Sequence, residues 1–152
     1  MTDNKKGAKQ IPTVEGWFTW PPSEEPHLIG SKCMSCGDYF FPKTIRCRNP
    51  YCMKDAAVKD LPFSRRAKLW SFTTNYFKPP IPFKSADPFK PFGVAIVEFT
   101  EERIKIQGIV ASGYDTERLR IGQEMEVVLE KLHDDINGNE VITWKFKPVT
   151  IG

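Results

Sequence analysis

No apolar run in this 152-residue chain extends beyond the four residues Val94-Ala95-Ile96-Val97. A membrane-spanning helix needs about 20, so none is predicted. The opening segment MTDNKKGAKQ lacks the apolar stretch of a signal peptide, and a soluble, cytoplasmic protein is the expectation. Histidine is nearly missing, with only His27 and His133, and cysteine is absent outside Cys33–Cys52. No G-x-S-x-G, H-E-x-x-H or phosphate-loop pattern occurs. What the chain has instead is punctuation: 13 Pro and 10 Gly in a sequence only 40% apolar. That favours short strands joined by many turns over a helical bundle, and 17.4 kDa suits one domain or two small ones.

The net charge of +3 is unevenly spread. Residues 1–70 carry 12 Lys/Arg against 7 Asp/Glu, and residues 71–152 carry 10 against 12. A basic front half suits an anionic partner, yet it is too weak to require nucleic acid.

All four cysteines fall within 20 residues, as Cys33-Met34-Ser35-Cys36-Gly37 and Cys47-Arg48-Asn49-Pro50-Tyr51-Cys52. An intracellular chain keeps its thiols reduced, and each short loop can aim two thiolates at one ion. Zinc is the preferred assignment for Cys33, Cys36, Cys47 and Cys52, one ion per chain. A rubredoxin-like iron tetrathiolate is the competing one. Tyr39, Phe40, Phe41 and Pro42 would cover a knuckle too small to build its own core, with the metal contributing to folding. The expected element is a structural zinc ribbon.

Beyond it, five strand-like segments predict a mainly β barrel. Lys68–Tyr76 alternates, with Trp70, Phe72, Thr74 and Tyr76 on one face. Gly93–Thr100 and Arg103–Val110 form a hairpin turning at Thr100-Glu101-Glu102. Gly113–Ile121 holds one helical turn stopped by Gly122. Glu124–Leu132 and Val141–Phe146 pair across an Asn137-Gly138-Asn139 turn. The stretch Tyr76–Pro91, with five Pro and four aromatics, is a long shaped loop. A five-stranded OB-fold fits, with a sandwich as the alternative. The chain thus divides into an N-terminal tail and docking arm over 1–27, a zinc ribbon over 28–62 and the barrel over 63–152.

The Cys33-x-x-Cys36-Gly37 knuckle, Phe41-Pro42, the second cysteine pair and the barrel entry Lys68-Leu69-Trp70-Ser71-Phe72-Thr73 together resemble a known arrangement. So do Pro91-Phe92-Gly93-Val94-Ala95-Ile96-Val97-Glu98 and Leu119-Arg120-Ile121-Gly122-Gln123-Glu124-Met125-Glu126-Val127. The combination, covering about Gly16 to Pro148, is similar to the acyl-CoA-associated zinc-ribbon/OB-fold family, long catalogued as a domain of unknown function. The second loop, Cys47 to Cys52, is longer than the family's usual C-x-x-C. The resemblance implies a companion subunit that pairs with a thiolase-like catalytic protein through the ribbon and N-terminal segment, its barrel beside the CoA channel. The layout is most similar to companion subunits of thiolases that cleave benzoylsuccinyl-CoA in anaerobic toluene degradation.

The residues themselves place the chemistry elsewhere. Thiolytic cleavage needs a free cysteine with a proton-handling partner, and the metal claims all four thiols. Glu24-Glu25, Glu101-Glu102 and Asp134-Asp135 read as solvated turn carboxylates. Trp17, Phe18 and Trp20 read equally well as a docking arm for the partner or as packing on this chain's own barrel. In the long loop, Lys78, Lys84 and Lys90 with Phe89 and Phe92 suit the phosphates and adenine of CoA, or else simply cap the barrel. A single-stranded nucleic-acid binder is the rival class, with Trp70, Phe72 and Tyr76 as stacking groups, but the barrel half is net acidic.

Overall fold

Among the described residues, nine strands arise from this punctuated sequence. The computed structural model describes residues 9–52, 58–76 and 90–149. In chain order they are β1 (Gln10–Pro12), β2 (Ile29–Cys33), β3 (Tyr39–Phe40), β4 (Val58–Pro62), β5 (Arg66–Asn75), β6 (Phe92–Phe99), β7 (Ile104–Val110), β8 (Glu124–Asp134) and β9 (Glu140–Pro148). A 3-10 turn over Thr116–Arg118, capped by the Asp115 side chain, precedes β8. Among the described residues no helix is long and apolar enough to cross a membrane.

The last five strands pair in the order β5–β6–β7–β9–β8, and β8 returns to β5. Every contact is antiparallel except β7 with β9. Closure with one parallel contact is the OB topology, and it excludes an open sandwich. Alternation explains the filling: Ala95, Val97 and Phe99 on β6, Ile106 on β7, Met125 and Val127 on β8 and Phe146 on β9 all point inward and are buried. β1 lies parallel to β9, Gln10 beside Glu140 and Pro12 beside Ile142.

One sequence expectation fails inside β5. The register slips between Leu69 and Ser71, so Trp70 is the extra residue of a bulge. Ala67 and Leu69 face inward before it and Phe72 after it, while Trp70 stays half exposed under the Lys105 ammonium, 4.7 Å from its ring centre. Trp70 and Phe72 therefore do not share a face.

The other sheet is the ribbon, with β2 between β3 and β4. Phe63 joins it to the barrel. Its ring is 1% exposed and lies 5.8 Å from Tyr39, 6.3 Å from Phe41 and 6.3 Å from Phe99. The β6–β7 turn clamps the same junction. Ser64 donates its backbone N–H (2.8 Å) and its hydroxyl (2.9 Å) to Glu102, and Arg103 donates to the Gly37 carbonyl at 3.3 Å. Glu102 is thus not a solvated turn carboxylate, since it is buried against Ser64.

The aromatic segment ahead of the ribbon also belongs to the chain's own core. Phe18 is 2% exposed and bridges to Leu28, and Trp17 sits 5.3 Å from Phe41 and 5.8 Å from Trp144. A flat ring buried on several aromatic neighbours stabilises its segment by more than its area alone. Of the three arm residues, Trp20 alone keeps substantial exposure, 39%.

Candidate metal centre and barrel groove

The four cysteines converge. Cys33 lies at the end of β2 and Cys36 beyond a tight turn, where Gly37 donates its N–H to the Cys33 carbonyl at 2.8 Å. Gly37 has φ +84°, a conformation that side-chain-bearing residues rarely adopt. The longer second loop makes an equivalent knuckle through Asn49. Its side-chain oxygen accepts from the Tyr51 N–H (2.9 Å), its carbonyl from the Cys52 N–H (3.0 Å), and its own N–H points at the Cys47 sulfur (3.4 Å). Asn49 also donates to Asp38 at 2.9 Å, tying the two knuckles together.

The sulfurs of Cys33 and Cys52 are 3.7 Å apart and those of Cys36 and Cys47 3.6 Å, with all four inside 4.8 Å. A tetrahedron with metal–sulfur bonds of about 2.3 Å has edges of about 3.8 Å, so the donor set fits one tetrahedral ion with no fourth position left open. The thiols are also unequal in acidity. The backbone N–H of Cys36, helped by that of Ser35, lowers Cys33 to about 7 against the opposing pull of desolvation. Cys47 is pushed up to about 12 by desolvation and by its sulfur neighbours. Four protons leave such a cluster together only when a cation replaces them.

The two knuckles and the connection between them expose apolar side chains. Met34 is 57% exposed, Ile45 87% and Tyr51 95%. Met34 and Tyr51 lie between closely spaced ligands and cannot turn inward, a signal already present in the cysteine spacing, whereas Ile45 lies on the connection ahead of Cys47 and has no such signal. The histidines stay structural: His27 donates Nδ1–H to the Phe63 carbonyl at 2.7 Å, and His133 to the Asp134 carbonyl at 3.0 Å.

A second feature lies on the barrel's outer face. A cavity of 760 Å³ opens between the ends of β5–β7 and the 3-10 turn, and a shallower one of 390 Å³ continues along β6 and β7. Lys90 and Phe92, two of the residues assigned to CoA, line the larger cavity. Lys78, Lys84 and Phe89 fall outside the described residues. Trp70, Phe72 and Tyr76 do not assemble into one stacking surface, because the bulge points Trp70 outward and Phe72 inward.

Residues 61–130 match the family described as ChsH2, C-terminal OB-fold domain. A DUF35 domain-containing scaffold protein of Methanothermobacter thermautotrophicus is 34% identical over 143 residues, covering 91% of this chain and 97% of the relative. The benzoylsuccinyl-CoA thiolase subunit BbsA of Thauera aromatica is 30% identical over 125 residues, covering 82% of this chain and 78% of that one. Among solved structures, an Ltp2-ChsH2(DUF35) aldolase shares the fold, with a TM-score of 0.58 at 22% identity over 82% of this chain and 86% of its own. Full-length kinship of that kind, on a chain that closes an OB barrel beside a four-cysteine knuckle pair, makes this protein a member of the DUF35 family.

Proposed function

We propose that this chain is the non-catalytic, zinc-carrying companion subunit of a cytoplasmic heteromeric thiolase-type complex acting on acyl-CoA. The observation that carries the reading is the convergence of every cysteine of the chain on one tetrahedral set of sulfurs, which leaves no thiol to attack a thioester. Kinship to a benzoylsuccinyl-CoA thiolase subunit and to scaffold proteins supports a subunit role. Benzoylsuccinyl-CoA, the ester cleaved in anaerobic toluene degradation, is the substrate we infer from the first of these.

A bound zinc ion supplies no reaction step here; it ties the two knuckles together. The chain's own residues then present Met34, Ile45 and Tyr51, with Trp20, as the face for the catalytic subunit. An exposed set of Met, Tyr and Trp has the composition of an interface centre. On the barrel, Lys90 and Phe92, with Lys78, Lys84 and Phe89 of the loop, form this chain's share of the CoA site.

The test is reconstitution of this chain with the thiolase-like protein from its own organism. The expected result is a stable heteromer whose thiolysis of benzoylsuccinyl-CoA needs both proteins, with stoichiometric zinc in this chain. A catalytic protein that is fully active and soluble alone, and does not associate, would overturn the reading. Binding of single-stranded oligonucleotide that collapses with added salt would transfer it to the rival class.

A further inference from the structure

The two adjoining cavities share Phe92, Ile109 and Leu132 and so form one groove across the outer face of β6 and β7. Volumes of 760 and 390 Å³ lie in the range of small-molecule sites. The charges lining it are few. Among the described residues they are Lys90, Lys145, Asp115 and Glu117, which cancel formally. Lys145 is buried and already engaged: its Nζ lies 3.2 Å from a Glu130 oxygen that also accepts the N–H and hydroxyl of Ser112, each at 3.1 Å. Among the described lining residues Lys90 is then the remaining cation, against two carboxylates. A polyphosphate is held by clustered cations, and the described part of this lining shows no such cluster.

The rest of the lining suits a neutral, amide-bearing chain. Phe92, Val94, Ile109 and Leu132 give an apolar floor, while Gln107 and Asn75 stand beside it and the hydroxyls of Thr74 and Thr116, hydrogen-bonded to each other, close the wider end. Methylenes and paired methyls pack on the floor, and the Gln107 side-chain amide at the rim suits an amide of the arm. Resting on the acyl-CoA reading above, we propose that this groove takes the pantetheine arm of the CoA ester and not its phosphates, so that Lys90 stands at the groove's rim rather than at a phosphate clamp.

The experiment is an amide-shift titration of the ¹⁵N-labelled whole chain with pantetheine, with adenosine 3′,5′-bisphosphate and with CoA in parallel. Pantetheine is expected to move the Val94, Ile109 and Thr116 signals equally at low and high salt, and the bisphosphate to leave them in place. Val94→Glu and, independently, Ile109→Gln, both outward-facing and checked for native spectra, should abolish the shifts at concentrations that saturate the natural chain. If CoA or the bisphosphate moves these signals and pantetheine does not, the groove assignment falls and CoA binding by this chain stands. If none of the three moves them, and CoA does not bind the reconstituted complex either, the acyl-CoA reading falls with it.

Discussion

Replacing Phe63 with Ala tests whether ribbon and barrel share one core. The ring is 1% exposed and touches Tyr39 and Phe41 on one side and Phe99 on the other. It also fills the space beside Gly30, where an added Cβ would lie 2.2 Å from the Phe63 ring. Neighbours on two sheets cannot both collapse into the vacated volume, so the full cost of a Phe→Ala change applies, about 3–5 kcal/mol. For a chain of this size each kcal/mol moves the melting point by about 2–4 °C, giving a fall of roughly 6–20 °C. Urea unfolding followed by circular dichroism measures the loss, with a chromophoric chelator reporting metal release in the same samples. The natural chain should show coincident transitions, and in Phe63→Ala metal release should precede barrel unfolding. A loss below about 1 kcal/mol, or transitions that stay coincident, would show that the junction is not built on this ring.

Cys47→Ser should leave the second knuckle one ligand short, lowering metal content well below one ion per chain while the barrel keeps its spectrum; full occupancy measured by mass spectrometry would refute the ligand set. Glu102→Ala should cost about 1–3 kcal/mol because the Ser64 N–H loses its acceptor, and Glu102→Gln should restore much of it; equal stability of the Ala variant in urea would remove the clamp. Phe18→Ala should destabilise the chain by about 3–5 kcal/mol, whereas Trp20→Ala should leave the melting point nearly unchanged and weaken binding to the catalytic subunit. The reverse pattern, by calorimetry and titration, would exchange their roles.

The barrel and the metal cluster were legible because their signals are local. Alternation placed β5 to β9 within a few residues, and cysteine spacing located the ligand loops. What escaped was set by distant partners. Nothing in Gln10-Ile11-Pro12 announces a strand, because its pairing with β9 is made 130 residues later in the chain. The bulge at Trp70 leaves alternation intact in the sequence while reversing it in space. Glu102 reads as one of many turn acids, and only its approach to Ser64 in the folded chain buries it. Phe18 looked equally suited to a partner and to the core until Trp144, near the other end of the chain, was seen to reach it at 6.1 Å.

The parallel placement of β1 carries a consequence for handling and biogenesis. β7 pairs with β9 at Lys145 and Phe146, so the stretch Glu140–Ile142 is flanked on that side by β1, with Thr13 donating to the Ile142 carbonyl at 2.8 Å. Without those few residues, β9 would present unpaired backbone groups, a template for the same stretch of another molecule. β1 precedes its partner by 130 residues in the chain, so it is made before β9 and waits for it. A chain shortened before Gly16 should therefore reach its fold but lose solubility as its concentration rises, self-associating through β9.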